Sequence, residues 1–296
     1  MRSQSVSRRK PGRVRIVTDS SAQLSPDLVR ALEITVVPLE VEWGGRRLRE
    51  GLDLSAEEFA LRFAQNTTTT IVHPPSIAAF QEVYKQLSQT TSQILSLHLA
   101  GSLSKTLEHA RAAADHFLGR CRIVVMDSQA ASLGLGILVE AAARAALRGT
   151  PLDELISLMR GLIPHIYLAF ITEHLEYLER WGRIGPSQAI LGTMLGIKPF
   201  LTLEEGDLIP LEKAQSKLQG VEKLIEFVAE FSEVEQLVIL QTGPGPTRES
   251  KTLRTRLRDL FPRQPIPTRM VAPSLAVHLG PDSLGVLVYE PASTSL

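Results

Sequence analysis

Three hydroxyl side chains, Ser102, Ser104 and Thr106, crowd the stretch His98-Leu-Ala-Gly-Ser-Leu-Ser-Lys-Thr106. Before it lies a continuous apolar run, Ile94-Leu-Ser-Leu97. After it, Leu103, Leu107, Ala110, Ala114 and Phe117 recur with a helical period. The change of period across Gly101 to Ser104 marks a joint between a strand and a helix. The first N–H groups of a helix lack intrahelical acceptors and carry partial positive charge. Hydroxyls gathered there suit an anion such as a carboxylate or phosphate. The plainer alternative is that Ser102 or Ser104 caps the helix, since serine does so at many helix starts.

Ser104, His278 and an aspartate are also the residue types of a nucleophilic triad. Ser104 has no nucleophile-elbow sequence around it, however. The seven histidines show no metal-ligand spacing, so no metal is expected. Gly134-Leu-Gly136 lies inside a helical pattern rather than between strand and helix, which argues against a dinucleotide fingerprint. No phosphate-cradling Walker sequence appears, and no cofactor is expected. Asp19 and Asp127 read as strand-end caps. Arg183 follows a helix end, where an arginine can serve as a dipole partner, screen a bound carboxylate or contact a partner protein.

The elements that must position these groups come from a chain of 296 residues with 44% hydrophobic content. That is enough for two domains and a sizeable core. Lys+Arg and Asp+Glu are both 32, a formal net charge of +0, which argues against nucleic-acid binding driven by bulk charge. The single cysteine, Cys121, cannot form an internal disulfide and fits a reducing, cytoplasmic compartment. No apolar run is long enough to span a bilayer. The basic start of the chain lacks an apolar segment behind it, so residues 1–12 read as a flexible tail rather than a secretory signal.

Val14–Val17 reads as a first strand ending in Thr18-Asp19-Ser20-Ser21. Ser25-Pro26 opens a short helix. Ile34–Val41 reads as a second strand, with Pro38 at an edge or bulge. Trp43–Arg46 is a hairpin-like turn, and Ser55-Ala-Glu-Glu58 is a capping box. Thr67–Ser76 reads as an extended loop, followed by a helix with Ile77, Phe80 and Tyr84 on one face. A strand over Ile123–Met126 and a helix over Gln129–Leu147 complete the first half. Polar residues gather at the carboxyl ends of its strands, the pattern of a doubly wound, mainly parallel α/β sheet with ligands beyond those ends. From Thr150 onward hairpins mix with helices. The spacing predicts a helix over Glu173–Trp181, a hairpin around Glu204-Glu-Gly-Asp207, a turn at His278 to Val286 and a final strand. The expected architecture is an N-terminal α/β domain over residues 13–160 and a C-terminal α+β domain with a mixed sheet over 161–291, with a ligand cleft between them.

Nine stretches then coincide, in order, with one family. They are Val17-Thr-Asp-Ser-Ser21, Val37-Pro-Leu39, Glu50-Gly-Leu-Asp53, Pro75-Ser76, Leu103-Ser-Lys-Thr106, Met126-Asp-Ser128 with Gly134 and Gly136, Gly182-Arg-Ile184, Ile197-Lys-Pro199 and His278-Leu-Gly-Pro281. The chain resembles the DegV family of bacterial fatty-acid-binding proteins. The resemblance implies a buried acyl tunnel between two α/β domains, with the fatty-acid carboxylate held by hydroxyls at the joint. Ser104 matches the family serine there, flanked by Ser102 and Thr106, and Lys105 replaces a glycine. A second family hydroxyl falls at Val72, which keeps the shape of threonine and loses the donor, a loss of about 1 kcal/mol. Thr70, two residues earlier and on the same side of an extended chain, or His73 is positioned to substitute. His278 and Arg183 match the family histidine and arginine.

The resulting expectation is a non-catalytic carrier of a long-chain fatty acid that presents it to a separate fatty-acid kinase, with transient contact with a membrane surface. The competing expectation is a serine-dependent acyl-ester hydrolase using Ser104 and His278. A sixteen-carbon acid buries about fourteen methylenes, about 11 kcal/mol gross, against about 1.5–3 kcal/mol for each hydrogen bond to the charged head. The chain would therefore dominate affinity and the polar loop orientation.

Overall fold

The structure, a computed structural model, describes residues 12–65 and 70–291. The basic tail, apart from Gly12, lies outside them, as do the first three threonines of the loop expected over 67–76. The strands in chain order are β1 (Arg15–Asp19), β2 (Thr35–Val37), β3 (Glu40–Trp43), β4 (Arg46–Arg49), β5 (Ile71–His73), β6 (Gln93–His98) and β7 (Arg122–Asp127). They continue with β8 (Ile166–Ile171), β9 (Lys198–Glu204), β10 (Asp207–Ala214), β11 (Gln236–Gln241), β12 (Thr268–Met270) and β13 (Leu284–Tyr289).

The first half builds a four-stranded sheet in the order β2-β1-β6-β7, parallel throughout. Parallel sheets need both faces covered. Phe80, Tyr84, Ala110 and Ala113, on the helices Ile77–Leu87 and Thr106–Ala114, cover Val17 and Ile94 on one face. The helices Leu133–Leu147 and Leu152–Leu162 cover Ile16, Leu95 and Leu97 on the other. Since side chains alternate along a strand, Asp19 shares a face with Val17, and Ser96 and His98 share one with Ile94. The connections from β1 to β2 and from β6 to β7 leave in opposite directions, so the carboxyl ends of β1 and β6 form the topological switch point.

The second half forms a six-stranded mixed sheet, β10-β9-β8-β13-β11-β12, in which only the β11–β12 pair is parallel. One face packs on the helices Lys217–Ala229 and Arg248–Leu260. The other joins the core of the first half, where Leu168, Phe170 and Leu287 meet Leu135 and Leu138. Gly134 permits that packing, because a Cβ there would lie 2.9 Å from Ile166 Cγ2 and 3.5 Å from Leu168 Cδ1. A three-stranded antiparallel sheet, β4-β3-β5, projects beside the two. Its β3–β4 hairpin turns at Gly44 and Gly45, both at positive φ, as a two-residue hairpin loop requires.

Three sequence expectations are corrected. The strand expected over Ile34–Val41 is two strands in different sheets, divided at Pro38, whose missing N–H cannot continue the ladder. The helix expected from Gln129 starts at Leu133, because Gln129 and Ser132 have positive φ. Ile77, Phe80 and Tyr84 share one face of the helix Ile77–Leu87 as expected, with Ile77 exposed at its first turn. His278 is not in a turn. It lies in the helix Pro273–Leu279, which starts with proline at its first position and ends at Gly280 with φ 82°, a usual helix stop. A further helix, Pro186–Met194, fills the stretch before Ile197.

Candidate functional site

The joint is stitched from both sides by the strand-end aspartates. Asp19 Oδ2 accepts the Leu99 N–H at 3.1 Å, and Asp127 Oδ2 accepts the Gly101 N–H at 3.1 Å. Each also takes an N–H two residues on, from Ser21 and Gln129, so both cap their strands as their positions suggest. The Ala100 N–H donates to the Ala130 carbonyl at 2.9 Å. The loop is thereby held before the helix at Thr106 begins. Ser104 Oγ lies 2.9 Å from Thr106 Oγ1 and 3.3 Å from the Thr106 nitrogen. Ser104 thus accepts from the first residue of the helix, whose N-cap position is Lys105, while Thr106 is fully buried.

The C-terminal half supplies the facing groups. His278 is 2% exposed, with its ring 4.4 Å from that of Trp181. Hydroxyls of Thr172 and Ser283 bond the Leu279 carbonyl at 2.6 and 2.9 Å, fixing the end of its helix. The Arg183 side chain is 14% exposed, more enclosed than its place after a helix suggests. Its Nη2 donates to the Ser102 carbonyl at 2.8 Å and its Nη1 to Asp207 Oδ1 at 3.2 Å.

On the strand beside the joint, Val72 pairs with Val41 and is partly buried against the shared core. Thr70, on the same side, is 4% exposed. His73 points to the other face, where its Nε2 lies 2.7 Å from Glu42 Oε2. Strand β5 packs on the helix that carries His278. Of the residues singled out in the sequence, the structure brings Ser104, Thr106 and Arg183 to the joint and His278 beside them, with Val72 on the strand against the His278 helix and Thr70 just before that strand. It turns His73 away, and the Ser102 hydroxyl is taken by the Gly206 carbonyl at 2.5 Å.

Three buried polar atoms in this group have no hydrogen-bond partner among the described residues: Thr70 Oγ1, Arg183 Nε and His278 Nδ1. They come from three separate segments. Buried polar groups are normally satisfied, so unmet polar atoms on these segments suit an oxygen-rich anion.

Burial, reinforced by the Arg183 charge, pushes the His278 imidazole down to about 3 from its usual 6.5, against a smaller opposing pull from the Leu103 backbone. The ring is thus neutral near neutral pH. The unfolded chain takes up this proton first as acid is added, so the associated stability is intact above about pH 6.5 and is lost toward pH 3. His278→Gln should therefore lose less stability than the parent between about pH 7 and about pH 4.5 in paired urea titrations. Equal losses would show that His278 is not buried neutral.

A cavity of about 620 Å³ lies at the other end of the same helix. Leu24, Val29, Val36, Leu133 and Met270 give it apolar walls, and Pro273 lines it too. Its buried acid, Glu50, accepts from Ser20 Oγ at 2.6 Å and from the Ser274 N–H at 2.8 Å. Burial raises the Glu50 carboxyl above the ordinary range, opposed by those bonds. Glu50 thus ties the first half of the chain to the helix bearing His278. The sequence flagged Glu50 only within a motif. Asp207 and Trp181 carried no local signal beyond a turn and a helix end.

A parallel sheet and a mixed sheet sharing one core, with a polar joint at a switch point facing a buried histidine and arginine, define a two-sheet α/β ligand-binding class. The model of the family described as "Uncharacterised protein, DegV family" matches residues 13–291. A DegV domain-containing protein of Deinococcus radiodurans is 31% identical over 283 residues, covering 95% of this chain and 99% of that one. A solved structure, "Fatty Acid Binding of a DegV family Protein from Thermus thermophilus", superposes with a TM-score of 0.79 at 31% identity, covering 94% of this chain and 99% of the other. The fold of DegV from Bacillus subtilis, described as a fatty acid binding protein, matches with a TM-score of 0.81 at 21% identity, covering 94% and 100%. The chain belongs to the DegV family.

Proposed function

We propose that this protein binds a long-chain fatty acid, with its carboxylate among Thr70, Ser104, Thr106, Arg183 and His278 and its acyl chain in the cavity lined by Val36, Leu133 and Met270. The observation that carries this reading is the set of three unpartnered buried atoms, Thr70 Oγ1, Arg183 Nε and His278 Nδ1. A hydroxyl, a guanidinium and a neutral imidazole can all donate to a carboxylate. The cavity and His278 lie at opposite ends of one helix, Pro273–Leu279, whose rise from Pro273 to His278 is about 7.5 Å. The cavity falls within the range of about 300–1,000 Å³ usual for ligand sites. The fatty-acid binding named for the Thermus thermophilus relative supports the same ligand class.

The acid is presented to a separate kinase, which converts it to an acyl phosphate. Exposed Lys105 beside the joint supplies a cation for the incoming phosphoryl group. Loading involves transient contact with a membrane surface. Ile190, Leu191, Met194 and Leu195 are 58–79% exposed along and just after the helix Pro186–Met194, an apolar patch suited to a lipid interface. No described helix is long and apolar enough to cross a membrane.

The hydrolase reading finds little support. No hydrogen bond joins Ser104 to His278 among the described residues, and the charge acting on His278 is a cation, Arg183, where a general base needs a carboxylate. A Ser–His–Asp array does form, from Ser96, His98 and Asp19, but all three side chains are fully buried. Native mass spectrometry of freshly purified protein tests the carrier reading. A co-purified fatty acid is expected, whereas an empty protein that turns over acyl esters would reverse the assignment.

Thr70 replaces the hydroxyl missing at Val72. Thr70→Val should weaken palmitate binding about fivefold, the equivalent of about 1 kcal/mol, in calorimetric titration of delipidated protein. Val72→Thr should change it little. Tighter binding by Val72→Thr, with Thr70→Val unchanged, would remove Thr70 from the site.

A further inference from the structure

The hairpin between β9 and β10 turns at Glu205 and Gly206, with φ of 49° and 88°. Its tip leaves the C-terminal sheet and lands on the joint of the other sheet. The Gly206 carbonyl accepts from Ser102 Oγ at 2.5 Å, and Asp207 Oδ1 accepts from Arg183 Nη1 at 3.2 Å. The second terminal nitrogen of Arg183 donates to the Ser102 carbonyl at 2.8 Å. A Cβ at Gly206 would lie 3.3 Å from Ala100 Cβ and 3.4 Å from Gln129 Cα. The approach therefore calls for glycine on both conformational and steric grounds.

We infer that Asp207 is a positioning residue, and that the hairpin tip straps the Arg183 guanidinium so that its Nε–H is the edge left for the ligand. This rests on the carboxylate reading of the site. A free guanidinium pairs with a carboxylate through two parallel N–H groups. Here each terminal nitrogen already gives one N–H to the protein, while Nε is buried and unpartnered among the described residues. The carboxylate then receives one charge-assisted bond from Arg183 and keeps its other acceptor sites for the hydroxyls and His278. Asp207 is 59% exposed, so its ion pair contributes little to global stability. Its effect falls on the orientation of Arg183.

The test follows the arginine Nε–H signals of full-length, delipidated protein by NMR, with Arg183→Lys identifying the Arg183 signal. In the parent that signal should exchange slowly with solvent. In Asp207→Ala it should exchange about tenfold faster, and Asp207→Asn, which retains an acceptor, should restore most of the protection. Asp207→Ala should also weaken palmitate binding about threefold at an unchanged melting temperature. An Arg183 signal equally protected in Asp207→Ala overturns the strap, as does faster exchange with unaltered palmitate affinity. A parent protein whose Arg183 signal ignores palmitate overturns the carboxylate reading instead, and the exchange rates still decide whether Asp207 holds the arginine.

Discussion

Replacing Asp19 by alanine is expected to lower the unfolding free energy by about 3–5 kcal/mol. The Asp19 carboxylate is fully buried. It accepts from the Ser21 N–H at 3.1 Å and from Ser21 Oγ, and it meets His98 Nδ1 at 2.9 Å and the Leu99 N–H at 3.1 Å. From His98 the chain runs on through Nε2 to Ser96 Oγ at 2.7 Å and to the Tyr84 hydroxyl at 2.8 Å. Removing the acceptor strands several buried donors at once, and each costs about 1–3 kcal/mol when left unmade. Urea unfolding monitored by circular dichroism reads the loss as a lower midpoint with an unchanged slope. Tyr84→Phe, at the far end of the chain, should cost about 1 kcal/mol. A loss below that level in Asp19→Ala would show that the network reorganises without Asp19, and the account of how the joint is held would fail.

The second large effect concerns the ligand. His278→Ala should weaken palmitate binding by about ten- to a hundredfold, the equivalent of about 1.5–3 kcal/mol for a hydrogen bond to a charged head group. The side chain is enclosed by Trp181 and Arg183, so no solvent-exposed group replaces it easily. His278→Gln keeps a donor and should recover part of the affinity. Acyl-ester hydrolysis, measured in parallel, separates the two functional readings. A carrier shows none in the parent or the variants. Activity in the parent that vanished in both Ser104→Ala and His278→Ala would falsify the carrier assignment.

The joint was legible because its signal is local: the apolar period changes within a few residues of Gly101, and the hydroxyls stand in the gap. The parallel sheet followed from polar strand ends recurring at Asp19, His98 and Asp127. The Asp19–His98 bond was not legible, because its partners are 79 positions apart and meet only through the β1–β6 register. The helix of His278 was hidden by Gly280-Pro281, a strong turn signal just beyond it, although Pro273 at its first position pointed to a helix start. Gly185-Pro186 misled in the opposite sense. It read as the end of one helix, while the Gly185 N–H donates to Gln188 Oε1 at 3.0 Å and opens the next. Asp207 announced only a hairpin. Which neighbour a hairpin tip will reach depends on how two sheets pack, and no short stretch of sequence encodes that.

Strand β13 lies between β8 and β11, pairing with both along its whole length. It also follows every other described strand in the chain. During translation, therefore, the parallel sheet and its helices can assemble while the second sheet still lacks its middle. Strands β8 and β11 wait with open edges, which are templates for pairing with other chains. A ribosome stalled before Leu284 would hold a nascent chain with two such edges exposed beside its neighbours on the same message.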